Sequence, residues 1–333
     1  MRKVDVLIGV SASGKSSYVK ENEFDAVFSS DDYRENLFGT LEKQNKASNI
    51  KVFEALHKDL MNYVKTNEDF HIVYDATNLS RKRRIAFYRM MKAKDVEVHA
   101  IVFIKTLDEL IEHNQSRPIE RQVPTDVIQS MFTRLEVPFA NVDCDSIEMK
   151  RFGQPWFDEI EYVQRLQMLI SVLDHTRNDG LRQTMRDELY QSHNSKYHME
   201  SIDEHIESVV KSVRYDYNQA NDSELNDALL VAWFHDLGKA FAKQPKSDGY
   251  TSYINHENVS ATLLFEYMMT YESSKSDDLV KRVAYHMLPF KDISKKKIRQ
   301  RGIDDDLWAK LIRFNSSDKK SSISESGDIN ATT

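Results

Sequence analysis

The sequence predicts two domains of different class: an α/β domain, in which helices flank a mostly parallel sheet, and an all-helical domain after it. In the first half, short apolar runs alternate with helical patterns, which is typical of βα units and a parallel sheet. After about Gln164, apolar residues recur at three- and four-residue spacing with almost no strand pattern, which indicates packed helices. A chain of 333 residues is also long for a single hydrophobic core.

Five apolar runs are predicted as strands of the sheet, at residues 4–8, 26–29, 71–74, 96–104 and 159–163. A helix is predicted at 107–114, between the fourth and fifth strands. We expect the domain boundary at 164–170, which gives an α/β domain at 1–165 and a helical domain at 166–322. The last stretch is rich in Ser, Lys, Asp and Gly, so we expect a disordered tail at 323–333.

The composition is that of an ordinary globular protein. Charged residues make up 30% and hydrophobic residues 40% of the chain, and the formal net charge is −7. This acidic balance argues against a basic coat for nucleic acid, so a polynucleotide would have to bind at a local patch. A single cysteine, Cys144, cannot form an internal disulfide. We expect a cytoplasmic protein with no signal peptide and no membrane span.

A glycine-rich loop connects the first predicted strand to a helical segment that begins at Ser17. Residues 9–16 read Gly-Val-Ser-Ala-Ser-Gly-Lys-Ser, the pattern of a phosphate-binding loop. In such a loop the backbone N–H groups cradle the phosphates, the lysine reaches the terminal phosphates, the serine binds Mg²⁺, and the helix N-terminus favours the anion. The residues predicted to contact ATP and Mg²⁺ are Gly9, Ser11, Ala12, Ser13, Gly14, Lys15, Ser16 and Ser17.

Carboxylates follow two of the predicted strands. Asp31 and Asp32 lie at the end of the second strand, and Asp75 lies at the end of the third. Ligands bind at the carboxyl ends of strands in doubly wound sheets, so a carboxylate there can accept the proton of an attacking hydroxyl or hold Mg²⁺ through water. Helix capping explains Asp31 and Asp32 equally well, and that alternative stays open.

Basic residues supply further charge for phosphoryl transfer. Arg117 and Arg121 lie in a loop after the helix predicted at 107–114, where a mobile lid can bring arginine to a transferring phosphoryl group. A basic run after Asp75 either contacts phosphates of an acceptor strand or forms a solvated helical face, and for two of its four charges the solvated face is favoured. The run consists of Arg81, Lys82, Arg83 and Arg84.

The order of these features resembles the 5′-hydroxyl kinase domain of the phage polynucleotide kinase-phosphatase family, over about residues 3–140. The segments that carry the resemblance are the loop at 9–16, Asp-Asp-Tyr-Arg at 31–34, Asp-Ala-Thr-Asn at 75–78 and the lid at 114–124. The resemblance implies that Asp31 is the general base on a 5′-hydroxyl, that Arg34 holds a phosphate of the acceptor, and that Arg117 clamps ATP. Further substrate contacts are expected from Asp75, Thr77, Asn78 and Arg83.

The lid departs from the family pattern at two positions. Arg121, which we also expect to contact ATP, has no clear counterpart in the family. His113 stands where a further basic residue is typical. The identity of a second residue that clamps ATP beside Arg117 is therefore open. Small P-loop kinases that act on metabolites or nucleosides share the loop, the following aspartate and a lid arginine. Such a kinase is the alternative interpretation of the first domain.

The second half carries histidines and aspartates on the inward faces of predicted helices. An apolar run at 229–234 ends in the adjacent pair His235-Asp236. Buried imidazole and carboxylate groups are costly without partners, so we expect them to converge on a cation. Nitrogen and oxygen ligands without thiolate suit Mn²⁺, Ni²⁺, Co²⁺, Fe, Mg²⁺ or Zn²⁺. The predicted ligands are His205, His235, Asp236, His256, His286 and Asp318.

The order of these ligands resembles the HD superfamily of metal-dependent phosphohydrolases, over about residues 190–320. The resemblance implies that metal-activated water attacks phosphorus and that Lys239 contacts a substrate phosphate. It assigns His256 and His286 to a second metal or to the phosphate. Residues 193–198 are also similar to a segment of HD domains attached to tRNA nucleotidyltransferases. The resemblance to the HD superfamily assigns the other predicted ligands to the first metal: His205, His235, Asp236 and Asp318.

Two features near the end of the chain have more than one interpretation. Asp304, Asp305 and Asp306 are alternatives to Asp318 as a ligand, but their place at a helix start favours capping. A basic stretch after Pro289 is either a phosphate-contacting patch or a solvated surface. This stretch contains Lys291, Lys295, Lys296, Lys297, Arg299 and Arg301.

Together the two resemblances predict an RNA end-healing enzyme, which adds a 5′-phosphate from ATP and removes a 3′-phosphate or a 2′,3′-cyclic phosphate. The expected partners are RNA ends, with DNA ends as an alternative, a nucleoside triphosphate and a separate RNA ligase, in the host cytoplasm if a phage encodes the chain. Three alternatives stay open: a nucleotidase acting on free nucleotides, a second half that only binds nucleic acid, and a regulatory P-loop switch. Asp31 and the lid arginines disfavour the last.

Overall fold

The computed structural model describes residues 1–41, 45–151, 191, 193–194, 200–271 and 276–321. The chain divides into two compact units, Met1–Gln154 and Pro155–Thr333. The domain boundary expected at 164–170, the strand expected at 159–163 and the tail expected at 323–333 all lie outside the described residues. Among the described helices, none is long and apolar enough to cross a membrane.

The first unit contains a five-stranded sheet in the order β2-β3-β1-β4-β5, and every neighbouring pair is parallel. From β1 the chain winds to one side to form β2 and β3, and then to the other side to form β4 and β5. The carboxyl end of β1 is therefore the point where the winding direction changes, which is where doubly wound sheets bind ligands. The strands are β1 (Arg2–Ile8), β2 (Ala26–Ser29), β3 (Phe70–Asp75), β4 (Glu97–Ile104) and β5 (Ser146–Arg151).

Four of the predicted strands occur in the structure, because their apolar side chains are covered on both faces of the sheet. Leu7, Val73, Ile101 and Phe103 form one buried cluster, against which Tyr18 packs. The strand β5 was not predicted. Four residues of its sequence, Ser-Ile-Glu-Met-Lys-Arg, are polar, and none of its residues is fully buried, which fits its place at the edge of the sheet.

Helices follow most of the strands and cover the sheet. In α3 the residues Val52, Leu56, Leu60 and Val64 recur every fourth position and are fully buried, which explains the apolar stripe of this helix. The helices of the first unit are α1 (Lys15–Glu21), α2 (Ser30–Phe38), α3 (Lys46–Thr66), α4 (Arg81–Lys92), α5 (Leu107–Gln115), a 3₁₀ turn (Ile119–Arg121) and α6 (Thr125–Thr133). The predicted helix at 107–114 corresponds to α5.

The described part of the second unit is mainly helical. The prediction of an all-helical domain needs one correction, because two short antiparallel strands, β6 (Lys243–Pro245) and β7 (Thr251–Tyr253), form a hairpin. The helices are α7 (Ile202–Asp216), α8 (Asp222–Phe234), α9 (Lys239–Ala242), α10 (His256–Tyr271), α11 (Ser276–Tyr285), a 3₁₀ turn (Leu288–Phe290), α12 (Lys295–Arg299) and α13 (Asp305–Lys320).

Side-chain caps fix where the long helices of this unit begin. Ser201 and Glu204 form a capping box at the start of α7. Asp304 accepts a hydrogen bond from the Leu307 N–H at 2.8 Å, so it caps α13, and Asp305 and Asp306 lie in the first turn of this helix. The capping interpretation of these three aspartates is therefore the one that the structure supports.

Candidate active sites

The phosphate-binding loop lies between β1 and α1, at the switch point of the sheet. Gly14 has a φ of 106° and Ala12 a φ of 67°, so the backbone turns through left-handed conformations. A Cβ atom on Gly9 would lie 2.6 Å from Ser13 Oγ and 3.0 Å from Phe103 Cβ. Both glycines of the motif are therefore required by the backbone, and Ser16, at the start of α1, is exposed.

The loop is attached to the end of β3. The Gly9 N–H donates to the Thr77 carbonyl at 3.1 Å, and the Asn78 side-chain amide donates to the Leu7 carbonyl at 2.8 Å. Asn78 has a φ of 48°, which asparagine tolerates better than most residues. The Gly9–Thr77 hydrogen bond thus joins two of the sequence segments that carry the kinase resemblance, and the Asn78 side chain ties them to β1. The contact of Asn78 with substrate stays a prediction.

Burial favours the neutral form of two central groups, Lys15 and Asp75, and so shifts their pKa values in opposite directions. Lys15 is buried and donates to the Gly9 and Val10 carbonyls, both at 2.8 Å. Burial lowers the pKa of Lys15 to about 8, although Asp75 and Asp31 pull it upward. Burial likewise raises the pKa of Asp75 to about 6, against the effect of Lys15. Lys15, Asp75 and Asp31 are therefore close enough to interact, as their positions at the strand ends predict.

Asp31 lies in the first turn of α2 and is exposed. Ser29, rather than either aspartate, caps this helix by accepting a hydrogen bond from the Asp32 N–H at 3.4 Å. The capping explanation of Asp31 is thereby weakened, because the cap position has another occupant. Arg34 on the same helix is buried, with 5% of its surface exposed.

The lid contains an amide clamp that the sequence pattern did not explain. The Asn114 side chain donates to the Val123 carbonyl at 2.8 Å and accepts from the Val123 N–H at 2.9 Å, which closes the loop between them. Partial burial lowers the pKa of Arg117, and the carboxylate of Asp31 counteracts it, so the arginine and the candidate base interact electrostatically. Arg121 is exposed, and His113 is hydrogen-bonded to Lys105.

The basic run of α4 divides into two buried and two exposed residues. Arg84 forms an ion pair with Asp143 at 2.7 Å, and Arg81 donates to the Val137 carbonyl at 2.8 Å. These two arginines hold the segment around Val137 against α4. Neither of the two predicted roles, a solvated helical face or a phosphate contact, therefore applies to them. Lys82 and Arg83 are exposed, and the contact of Arg83 with substrate stays a prediction.

In the second unit, Asp236 lies at the centre of the histidines. Its Oδ2 is 3.4 Å from His205 Nε2 and 3.3 Å from His235 Nε2. Its Oδ1 is 3.1 Å from His256 Nε2 and 3.7 Å from His286 Nε2. The single carboxylate thus divides four buried imidazoles into two pairs, one at each oxygen.

The predicted ligand Asp318 joins the first of these pairs. Its Oδ1 lies 3.2 Å from His205 Nε2 and 3.9 Å from His235 Nε2. Ligand atoms that share a tetrahedral metal with bonds of about 2.0–2.1 Å lie about 3.3 Å apart. Two groups of three ligand atoms, His205-His235-Asp236 and Asp236-His256-His286, each fall within 4.8 Å of one another. All six predicted ligands therefore converge.

Hydrogen bonds on the far side of each ring orient the imidazoles. Nδ1 lies near the Ala232 carbonyl in His235 (2.7 Å), near the Tyr253 carbonyl in His256 (2.7 Å) and near the Val283 carbonyl in His286 (2.8 Å). A carbonyl only accepts, so we assign the proton to Nδ1 in all three. The Nε2 lone pairs then face Asp236, the arrangement that metal-binding histidines adopt.

Two sets of close contacts in this cluster are of the kind that a cation would stabilise. His256 Nε2 lies 3.2 Å from His286 Nε2, and with both protons on Nδ1 the two lone pairs face each other. Burial lowers the pKa of His205, but hydrogen bonds with Asp318 and Glu200 outweigh it and raise the pKa to about 9. A metal ion at the Nε2 atoms would relieve the close approach of the two lone pairs, and the donor set of imidazoles and carboxylates fits such an ion.

Lys239 and His193 lie beside the carboxylate. Lys239 Nζ is 2.6 Å from Asp236 Oδ2 and 3.0 Å from His193 Nε2. Burial raises the pKa of Asp236, but Lys239 and His235 hold it well below its usual range. His193 Nδ1 lies 3.0 Å from the Glu200 carbonyl, so its Nε2 accepts from the ammonium of Lys239.

Sequence reasoning missed three residues that shape this site. Glu200 Oε1 lies 3.2 Å from His205 Nδ1 and orients that ring. The Gly238 N–H donates to Ser260 Oγ at 2.8 Å, and a Cβ on Gly238 would lie 2.2 Å from the His256 carbonyl. The glycine two residues after Asp236 was a usable signal, because it permits close approach of α10. Nothing in the sequence singled out Glu200 or Ser260.

The comparisons with known proteins bear on the first unit. A search of curated proteins finds no match for the chain. A family model described as an AAA domain matches residues 4–138, the segment that contains the phosphate-binding loop, both strand-end carboxylates and the lid. The first unit is therefore similar to P-loop nucleotide-binding domains of the kinase type, with the parallel sheet and the ATP and Mg²⁺ use that such a domain implies.

Proposed function

We propose that the protein is a bifunctional end-healing enzyme for nucleic acid, most directly RNA. Its first unit transfers the γ-phosphate of ATP to a 5′-hydroxyl, and its second unit removes a 3′-phosphate or a 2′,3′-cyclic phosphate. The observation that carries the proposal is the division of four imidazoles between the two oxygens of Asp236, in a chain that also contains a P-loop. One chain then combines phosphate transfer with phosphate removal.

In the first unit, the charged residues around the loop supply the groups that phosphoryl transfer requires. Ser16 and Asp75 would hold Mg²⁺, which neutralises charge on the phosphates of ATP. Lys15 and Arg117 stabilise the negative charge that develops on the transferring group. Asp31 accepts the proton of the attacking hydroxyl as the new O–P bond forms and the bond to ADP breaks.

A polynucleotide acceptor is supported by residues at the strand ends. Arg83 on α4 is exposed and can hold a phosphate of a strand whose 5′ end reaches Asp31, whereas Arg34 on α2 is buried and offers only a small exposed part of its side chain to such a phosphate. The segments Asp-Asp-Tyr-Arg and Asp-Ala-Thr-Asn, with their spacing, carry the resemblance to a polynucleotide kinase. A nucleoside or metabolite acceptor is the competing possibility, and it requires no contact by either arginine.

In the second unit, His205, His235, Asp236 and Asp318 would hold one metal, and Asp236, His256 and His286 a second. Bound metal would supply a hydroxide at neutral pH and neutralise the phosphate oxygens. Lys239 binds a phosphate oxygen through its ammonium group, while His193 fixes the direction of that group. Glu200 keeps His205 in the orientation that presents Nε2 to the metal.

One experiment tests both activities on the same molecule. An RNA with a 5′-hydroxyl and a 2′,3′-cyclic phosphate is incubated with the full-length protein, ATP and Mg²⁺ or Mn²⁺, and both ends are analysed. We expect Lys15→Ala to lose only the 5′-phosphorylated product and Asp236→Ala to lose only the processed 3′ end. Asp32→Asn and Asp305→Asn serve as matched carboxylate controls, one in each unit.

The outcomes separate the alternatives. Transfer of phosphate to a free nucleoside but not to the RNA would identify a small-molecule kinase. Intact 3′ processing by Asp236→Ala would overturn the hydrolase assignment. Binding of RNA without any change at its 3′ end would show that the second unit only binds nucleic acid.

A further inference from the structure

A basic stretch of the second unit stands out against the acidic chain. Residues 291–301 contain six cations and a single carboxylate, Asp292, whereas the whole chain has a formal net charge of −7. The short helix α12 holds the central cations in place, because Ile298 is buried beneath them. Lys295, Lys296 and Lys297 are all exposed. The fold therefore exposes these lysines to solvent and does not bury them in the interior.

The central lysines have no acidic partner in the part of the chain that the structure describes. Arg299 differs, because it lies 3.7 Å from Asp305, and Arg301 donates to the Lys297 carbonyl at 2.9 Å. We therefore leave both arginines out of the surface defined below. A local positive field without compensating carboxylates is the electrostatic footprint of a polyanion site.

This stretch begins at the metal-ligand cluster. Lys291 Nζ lies 4.0 Å from Glu257 Oε1, and Glu257 Oε2 lies 3.7 Å from His256 Nδ1. In the chain, Lys291 follows His286 after a single 3₁₀ turn, Leu288–Phe290. The first cation of the stretch is thus one carboxylate away from a predicted metal ligand.

An exposed aromatic ring lies at the same place. Phe290 is 44% exposed, and Lys319 Nζ lies 5.1 Å from the centre of its ring. Lys319 directly follows the predicted ligand Asp318 on α13 and is itself exposed. A cation from α13 therefore lies at this aromatic ring, and Lys291 follows the ring directly in the chain. Aromatic rings with cations around them are the usual platform for an unpaired base.

We propose that these residues form a strand-binding surface for single-stranded nucleic acid, which leads away from the histidine and aspartate cluster. Phe290 stacks on a base near the 3′ end, Lys291 and Lys319 contact the nearest phosphates, and the lysines of α12 contact phosphates further along. The strand-binding surface consists of Phe290, Lys291, Lys295, Lys296, Lys297 and Lys319. The inference rests on the proposed hydrolase function and narrows its substrate from any phosphate ester to a polynucleotide end.

The test compares a long and a short substrate. The probes are a 3′-phosphorylated oligouridylate of about 20 nucleotides with a 5′-phosphate, and uridine 3′-monophosphate, which cannot reach α12. The first variant is Lys295→Gln/Lys296→Gln/Lys297→Gln, and the second is Phe290→Ala. The matched control is Lys51→Gln/Lys58→Gln/Lys65→Gln, which removes the same charge from three exposed positions of α3 in the other unit.

We expect the α12 variant to lower kcat/KM for the oligonucleotide about tenfold or more near 0.1 M salt, and to leave the mononucleotide unchanged. Three lost phosphate contacts should reduce the slope of log affinity against log salt by about 2, because each contributes about 0.7 on a single strand. Phe290→Ala should weaken oligonucleotide binding roughly fivefold to a hundredfold through the loss of stacking. The α3 control should change neither substrate.

Two readouts keep the surface and the activity separate. Binding of the fluorescent oligonucleotide is measured by anisotropy alongside turnover. If the wild type hydrolyses neither probe but the α12 variant still binds the oligonucleotide more weakly, the hydrolase proposal fails and the surface stands. If the α12 variant matches the wild type in both binding and its salt slope, or loses both substrates equally, the strand-binding surface is wrong.

Discussion

The two candidate sites are built for charges of opposite sign. Around the P-loop, Lys15 is buried against backbone carbonyls and Arg117 lies near it, so the site is arranged to receive an anion. Around Asp236, four imidazoles and two carboxylates converge, and the ammonium of Lys239 balances part of the negative charge, so the site is arranged to receive cations. The proposed phosphate transfer and the proposed metal-based hydrolysis thus belong to separate units of one chain.

The two sites also draw on different parts of the sequence. The P-loop uses backbone groups of one continuous loop, so a short pattern with two glycines is enough to identify it. The ligand cluster uses buried side chains of α7, α10 and α13 and of the residues that directly follow α8 and α11. A site formed by the backbone of one loop can therefore be recognised from a short sequence motif. A site formed by side chains of several helices can be recognised only when the positions on all of those helices are considered together.

Removing the candidate base should have the largest effect on the first site. Asp31→Asn keeps the size of the side chain but cannot accept a proton, so we expect the rate of 5′ phosphorylation to fall about 10²–10⁴-fold with little change in ATP binding. The neighbouring Asp32→Asn should retain activity within about threefold, since the same helix turn is preserved. Equal losses in the two variants would mean that Asp31 acts through helix charge and not as the base.

A methyl group at Gly238 should disrupt the second site alone. In Gly238→Ala the new Cβ would lie 2.2 Å from the His256 carbonyl and 2.6 Å from the Ser260 N–H, so α10 must move. We expect the 3′-end activity and Mn²⁺ affinity to fall by about 10² or more, while the kinase activity stays. Ser260→Ala removes the hydrogen bond without the clash and is the control. A kinase loss of the same size would contradict the independence of the two units.

Loss of the Glu200 carboxylate should weaken metal binding without removing a ligand. In Glu200→Gln the carboxylate that orients His205 is replaced by an amide, and we expect metal affinity to fall about 10–100-fold in calorimetry. Glu204→Gln, on the next turn, keeps a residue that capping boxes accept and should bind metal normally. Unchanged affinity in Glu200→Gln would show that His205 is oriented by packing alone.

The shifted pKa of Lys15 should make ATP affinity depend on pH. ATP favours the protonated lysine, whose pKa burial lowers to about 8, so affinity should fall as pH rises through 8, by up to about tenfold per unit. Below pH 8 the lysine is charged and this loss disappears. Lys15→Arg stays charged throughout, and its weaker binding should show no such decline. An equal decline in that variant would assign the effect to another group.

The smallest effect is expected at His193. In His193→Phe the acceptor for the Lys239 ammonium is lost while the ring volume is kept, so we expect KM for the phosphate substrate to rise about threefold to tenfold with little change in kcat. His193→Gln, which keeps an acceptor, should restore part of the affinity. A fall in kcat at constant KM would instead place His193 in the chemical step.

Some parts of the fold and of the candidate sites could be predicted from the sequence alone, and others could not. Four strands and the convergence of six histidine and aspartate side chains were predictable, because apolar runs and helix-face positions follow the spacing of regular structure. The edge strand β5 and the β6–β7 hairpin were not, because their sequences are largely polar. The structural roles of Asn78, Asn114 and Arg84 depend on contacts between distant segments, and no local pattern reports those contacts.

Calorimetric titration of chelator-treated full-length protein with Mn²⁺ shows whether Asp236 divides its neighbouring ligands between two cation sites. We predict two Mn²⁺ per chain for the wild type, one for His256→Ala/His286→Ala, and none for Asp236→Ala, with ATP binding intact in all three. The same stoichiometry in all three proteins, or no Mn²⁺ bound by the wild type, would mean that Asp236 does not link two cation sites.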